Sequence, residues 1–251
     1  AAGPAAAAPR RLARRRAATP PGWPDNLLVS TATPDRWPPA PGVDIQAELG
    51  ATRAAAFDIS AACCGFVYGL SMAEGFIQSG SAETVLLVSS EKMSAITDWT
   101  DRATCVLFGD GAGAAVLRRS QKGRGILSTF MRSDGKLADL LYRPAGGAPT
   151  PMSPEVLEAR THLVHMAGRL VFKHAVRSMA ESADRALDLA RLNGKDIDLL
   201  IPHHANLRII EATAKHAGIA LDKVYVHVER SGTPSSPSLP IALHDATQRR
   251  G

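Results

Sequence analysis

Two short segments carry side chains that could do chemistry. In FDISAACCGFVYGL (57–70), Cys63 follows a predicted strand and precedes a helical pattern, with Ala61, Ala62 and Gly65 as small neighbours. A thiol at a helix N-terminus faces unpaired backbone N–H groups and the positive end of the dipole, which stabilise thiolate and predict a lowered pKa. The small neighbours leave room for a thioester to approach. A free cysteine is more often an inert core residue, so placement alone leaves both readings open. Cys64 points about 100° away around the helix and reads as structural. In IPHHANLRII (201–210), His203 and His204 point to opposite sides if the chain is extended there, so only one can face a site.

Other candidates carry less. FGDGAGAAVL (108–117) is glycine-rich, but no strand-then-helix unit with an acid about 20 residues on follows, as a dinucleotide site requires. The three cysteines include no C-x-x-C pair, and the eight histidines form no metal-ligand pattern with them, so a structural zinc is not expected. His162 and His165, three apart on a predicted helix, lack an H-E-x-x-H pattern and read as an ordinary helix face.

These residues need elements to position them. NLLVSTA (26–32) and AAAFDIS (54–60) read as short buried strands, and residues 63–78 as a helix with a stripe of Phe66, Leu70, Ala73 and Ile77. TVLLVSS (84–90) reads as a strand buried on both faces, the kind found in a sheet covered by helices. VLFGDGAGAAVL (106–117) reads as two strands joined by a Gly-rich turn, and 155–192 as helix. Residues 198–218 read as a strand broken at Pro202 that hands over to a helix. KVYVHVERSG (223–232) reads as a strand, and 235–246 opens a last helix. The segments around 26–78 and 198–246 repeat one pattern of strand, helix, strand and small-residue turn, as a duplicated α/β unit would.

Composition narrows the function. A chain of 251 residues, 45% hydrophobic, can bury a sizeable core. No apolar run approaches the roughly 18 residues of a membrane span. Of 29 basic residues, five arginines lie within residues 1–24, which hold no acid, leaving 24 basic against 24 acidic side chains in the body. A nucleic-acid partner is therefore not expected. The leader, built almost wholly of Ala, Pro, Arg and Gly, predicts disorder; without an apolar h-region it is no secretory signal, and it reads as an untidy N-terminus. Cysteine usage fits a reducing compartment such as the cytoplasm.

AAAFDISAACCGFVYGLSMAEGFIQSG, then TDRATCVLFGDGAGAAVL, then IPHHANLRIIEATAKHAG resemble, in order, the 3-oxoacyl-[acyl-carrier-protein] synthases of type III. The resemblance spans roughly residues 25–248. It implies an α/β thiolase-like duplicated layered fold (αβαβα), with a disordered leader over 1–24, a half over 25–150 carrying the nucleophile, and a half over 151–251 carrying the histidine. It also implies an acyltransferase that initiates fatty-acid or polyketide synthesis: acyl-CoA plus malonyl carrier protein gives 3-oxoacyl carrier protein, CO2 and CoA. Cys63 would hold the acyl group covalently. His203 would stabilise the enolate formed as the malonyl group loses CO2. Asn206, Arg208, Arg102 and His204, the last where the family usually has Gln, would meet CoA, pantetheine or carrier. Acyl carrier protein and a second copy in a homodimer are the implied partners, with no resident cofactor.

Three departures stand against that pattern. The family's third catalytic residue is Asn in a Gly-Asn-Thr-Ser turn; here the turn is Gly232-Thr233-Pro234-Ser235. Losing one enolate-stabilising amide predicts a cost of about 2.7–4 kcal/mol. The family has a first strand and helices before the equivalent of Asp25, and final strands with a glycine-rich loop after the equivalent of Arg250, so a chain incomplete at both ends is expected. The alternatives are a non-condensing acyltransferase or thioesterase, and a catalytically impaired truncated paralogue.

Overall fold

The structure, a computed structural model, describes residues 23–120, 124–226 and 232–249. The expected disorder of the leader therefore lies outside the described residues as far as residue 22. Two compact units interleave along the chain. The first takes the described parts of Ala1–Lys92, Asp110–Thr129 and Pro234–Gly251; the second takes those of Met93–Gly109 and Phe130–Thr233.

The first unit is built on a four-stranded sheet of β1 (Asn26–Ser30), β2 (Ala55–Ile59), β3 (Thr84–Lys92) and β4 (Asp110–Arg118), in the order β2-β1-β3-β4. β1 pairs in parallel with β2 and β3, and β4 runs antiparallel to β3. Successive side chains on a strand alternate faces, which divides the core in two. Leu27, Val29, Leu86 and Val88 pack with Ile45 of α1 (Pro41–Leu49) on one face. Leu28, Val85 and Leu87 pack with Phe66, Ala73 and Ile77 of α2 (Gly65–Ser79) on the other. Leu27, Leu28, Leu86 and Leu87 are fully buried, each contributing about 1.5–3 kcal/mol, so the β1–β3 pair anchors the unit. A last helix, α6 (Ser238–Arg249), sends Leu239 into the same cluster as α2.

The glycine-rich stretch is not the hairpin turn expected from sequence. β4 runs straight through Gly111 and Gly113. Their absent side chains make room for the final segment: a Cβ on Gly111 would lie 2.9 Å from Pro234 Cβ, and one on Gly113 2.9 Å from Pro240 Cβ. Phe108 instead forms an isolated parallel bridge with Thr233, both in the second unit.

The second unit is mainly helical. The expected helix over 155–192 is interrupted: α3 (Pro154–Glu158) ends after one turn, and α4 (Gly168–Ala190) begins after a short strand. Between them β6 (His165–Met166) pairs with β5 (Leu141–Tyr142). His162 and His165 therefore share no helix face, and the Nδ1 of His162 turns toward the Val156 carbonyl at 3.4 Å. α4 packs against α5 (Leu207–His216). The strand expected from 198 to its break at Pro202 is reduced to one bridge, Leu200 with Val224, closed by Leu200 N–H to Lys223 O and Tyr225 N–H to Leu200 O, each 2.9 Å. Residues 227–231 of the expected partner strand lie outside the described residues.

α2 reaches the sheet this closely because its first turns are glycine. A Cβ on Gly65 would fall 1.7 Å from Ser30 Oγ. Gly65→Ala is expected to destabilise the protein by about 1–3 kcal/mol through overpacking. Gly75, on the same helix with nothing within 4 Å of a built Cβ, is the control: Gly75→Ala should stabilise by roughly 0.5–1 kcal/mol. Denaturant unfolding of the two variants should move the midpoint in opposite directions.

Candidate active site

The first unit places Cys63 where its parallel strands end. β2 finishes at Ile59, and the chain turns through a short 3-10 segment, Ala62–Cys64, into α2. Ala62 sits in the left-handed region at φ 42°, an uncommon conformation for a residue with a side chain. Cys63 is half-buried, whereas Cys64, which reads from sequence as a structural cysteine, is exposed. The Cys63 thiol donates to Ser235 Oγ at 3.5 Å.

The lowered thiol pKa expected from the helix terminus is corrected by this geometry. Burial pushes the Cys63 thiol up, and Ser235 and the local backbone offset this only in part, while the neighbouring Glu91 carboxylate adds to the rise. Desolvation is the largest cause of the rise.

The polar lining around the thiol comes from the inward face of β3, which reads Val85, Leu87, Ser89, Glu91 and so turns from apolar to polar toward its C-terminal end. Ser30 donates to Ser236 Oγ at 2.9 Å, and Ser236 donates to Ser89 Oγ at 2.9 Å. Glu91, only 1% exposed, accepts from Thr33 Oγ1 at 2.7 Å, from the Ala32 amide at 3.0 Å and from Thr31 Oγ1 at 3.4 Å. Burial raises its pKa, and Thr33, Ala32, Ser235 and Thr31 offset part of the rise. Neither Glu91 nor Ser235 was singled out from sequence. The available signal was an acid in phase with the buried positions of a strand, since an acid is seldom fully buried without a purpose or a partner.

The remaining candidates belong to the second unit. His203 is partly exposed and His204 is not. His204 is fully buried, with Nε2 3.1 Å from the Tyr225 carbonyl. Expected among the substrate-contacting residues, it is here a packed, backbone-bound side chain. Burial alone pulls His203 down to about 4, so its imidazole is neutral near pH 7. Thr233, 5% exposed, donates its hydroxyl to the His204 carbonyl at 2.7 Å, and its own amide bonds to Leu107 O at 2.9 Å. A hydroxyl has one proton to give, and here it goes to the backbone beside His203. Asn206 caps α5 by accepting from the Arg208 amide at 2.9 Å, and Arg208 is exposed at the helix start, as Arg102 is in its turn. Among the described residues, no group of three or more His, Cys, Asp or Glu could hold a metal ion, and no helix is long and apolar enough to cross a membrane.

The mixed sheet covered by helices on both faces, and its likeness to solved structures of this kind, place the chain in the thiolase-like fold class. The family follows from the comparisons. Residues 57–135 match the family model of 3-oxoacyl-[acyl-carrier-protein (ACP)] synthase III, and residues 187–251 match that of its C-terminal part. The beta-ketoacyl-[acyl-carrier-protein] synthase III of Roseiflexus castenholzii is 50% identical over 226 residues, covering 90% of this chain and 68% of that protein. The crystal structure of 3-oxoacyl-[acyl-carrier-protein] synthase III from Aquifex aeolicus superposes with a TM-score of 0.83 at 42% identity, over 92% of this chain and 70% of that one. A priming β-ketosynthase of the R1128 polyketide pathway superposes with a TM-score of 0.78 at 35% identity, over 90% of this chain and 67% of that one. The chain belongs to the 3-oxoacyl-[acyl-carrier-protein] synthase III family, whose members are initiating condensing enzymes.

The depressed His203 makes stability depend on pH. Between about 6.5 and about 4 the unfolded chain binds a proton that the folded chain does not, so stability falls as pH drops through that window. The loss should reach at most about 3 kcal/mol. Urea unfolding at pH 7 and pH 4.5 should show the decline, and His203→Gln should flatten it.

Proposed function

We propose that this chain accepts an acyl group from acyl-CoA on Cys63 and delivers it to the enolate of malonyl carrier protein, releasing CO2 and CoA and forming a 3-oxoacyl carrier protein. The observation that carries this reading is the thiol at the strand-to-helix junction, within a segment that matches the family. Covalent capture divides one difficult transfer into two easier ones. A neutral imidazole at His203 suits the second, because it can donate N–H to the charge that develops on the thioester oxygen. Asn206, Arg208 and Arg102 would receive the pantetheine arm and the phosphates of CoA or carrier, a role for which the fork of arginine is suited. No resident cofactor takes part. The chain works in the cytoplasm as a homodimer, with acyl carrier protein as its macromolecular partner.

One observation favours a second reading, acyl transfer or hydrolysis without condensation. The Thr233 hydroxyl at the family's Asn position is committed to His204 O, leaving His203 without a companion donor from that residue. Decarboxylation should then be weaker than acyl loading.

Intact-protein mass spectrometry after mixing with acetyl-, butyryl- and longer acyl-CoAs separates these outcomes. A thioester increment is expected that disappears in Cys63→Ser; a folded sample with no increment would remove both acyl-transfer readings. For the condensing step, Thr233→Asn should raise malonyl decarboxylation by about 100-fold while leaving loading unchanged. Equal decarboxylation in the two proteins would show that the missing amide is not what limits it.

A further inference from the structure

Glu91 is a buried carboxylate beside the nucleophile, and neither half of the proposed reaction uses it. It accepts from the Thr31 and Thr33 hydroxyls and the Ala32 amide. Ser235, 3% exposed, links it to the thiol: Cys63 donates to Ser235 Oγ at 3.5 Å, and the Ser235 hydroxyl is near enough to favour the charged form of the Glu91 carboxylate. Both ends of that contact are held in unusual backbone. Ser235 has φ 58° and Ala62, just before the cysteine, has φ 42°. Strain of this kind costs on the order of 1–3 kcal/mol per residue, persists only where the surroundings enforce it, and clusters at functional sites. Here Ser236, bonded to Ser30 and Ser89, supplies the enforcement.

We propose that Glu91, acting through Ser235, is the acceptor of the Cys63 proton when the thiol is acylated. The inference rests on the acyl-transfer reading of Cys63. As the sulfur attacks the thioester carbon, the Cys63 S–H bond breaks, its proton moves to Ser235 Oγ, and the Ser235 proton moves to the carboxylate. The new S–C bond forms, the C–S bond to CoA breaks, and the departing thiolate takes back the proton by the reverse route. The products are acyl-Cys63, free CoA thiol and Glu91 in its starting state. Burial raises both groups, keeping the resting thiol protonated and making the carboxylate a stronger proton acceptor than an exposed one. The other titratable neighbours are Cys64, next in the chain and coupled to Cys63, and Lys92, which strand alternation turns to the opposite face.

The test reads thiol chemistry without CoA. Full-length protein is alkylated with iodoacetamide from pH 5 to 9.5, and modification at Cys63 is followed by peptide mass mapping, with exposed Cys64 as internal reference. In the native protein a thiolate paired with protonated Glu91 should give a rate level with pH between the two macroscopic titrations of the pair. In Glu91→Gln the level region should vanish, the rate rising about tenfold per pH unit, and reactivity at pH 7 should fall at least about tenfold. Ser235→Ala should behave alike, the double variant should be no slower than the slower single one, and Glu91→Asp should recover part of the level region. A carboxylate acting only as a neighbouring negative charge has the opposite sign: its removal would speed alkylation. Faster or unchanged alkylation in folded Glu91→Gln, or in Ser235→Ala should the first variant unfold, overturns the proposal. Native protein that shows the level region but accepts no acyl group from acyl-CoA would instead sink the acyl-transfer reading alone.

Discussion

Three buried hydroxyls, Ser30, Ser236 and Ser89, hydrogen-bonded in sequence, hold the candidate site together. They tie the C-terminal ends of β1 and β3 to the turn before α6, joining segments more than 200 residues apart in sequence. Buried polar groups are tolerated only when paired, so the turn has little freedom to shift without leaving a hydroxyl unsatisfied. The same contact explains the glycine that opens α2: any side chain on Gly65 would strike the Ser30 hydroxyl. The position of Cys63 is thus set by two requirements, close helix-to-sheet approach and full satisfaction of a small polar cluster.

A consequence is that the thiol is desolvated. The unpaired N–H groups of a helix start favour thiolate, but their effect fades within a turn, whereas removal from water opposes the charged form outright. Here desolvation wins, for Cys63 and for Glu91 alike. A site of this kind stores its reactivity as a protonated thiol and needs somewhere for the proton to go when the electrophile arrives. In that respect it differs from a surface cysteine, whose thiolate is available to any oxidant.

What was legible in the sequence followed from periodicity and from motifs. The apolar runs in 26–30 and 84–90 give the sheet directly because they report burial on both faces, and the stripe of Phe66, Ala73 and Ile77 gives α2 because it reports burial on one. The strand-to-helix junction at Cys63 was legible because a strand pattern ends where a helical stripe begins. The failures have tertiary causes. Glycines at 111 and 113 read as a turn, yet they serve close approach of Pro234 and Pro240, some 120 residues away in sequence. The run 155–192 has helical composition throughout, and only the pairing of His165 with Tyr142 breaks it. Ser235 and Glu91 carry no motif; their significance comes from which strand end meets which turn.

Thr233 shows how a conservative-looking change can redirect a hydrogen bond. An asparagine amide carries two donors and a reach one atom longer than a threonine hydroxyl. It could satisfy a neighbouring carbonyl and still present an N–H elsewhere. Threonine has one proton, stiff χ1 geometry and, in this chain, a following proline that removes a backbone donor. Its hydroxyl therefore goes to the His204 carbonyl. That bond steadies the peptide next to His203 and helps hold His204 in its buried place, so the position keeps a structural value even where it gives up a chemical one. On the proposed reading, the loss would fall on the step that develops negative charge on oxygen and would spare the step that makes a thioester on sulfur, a difference set by the count of donors alone.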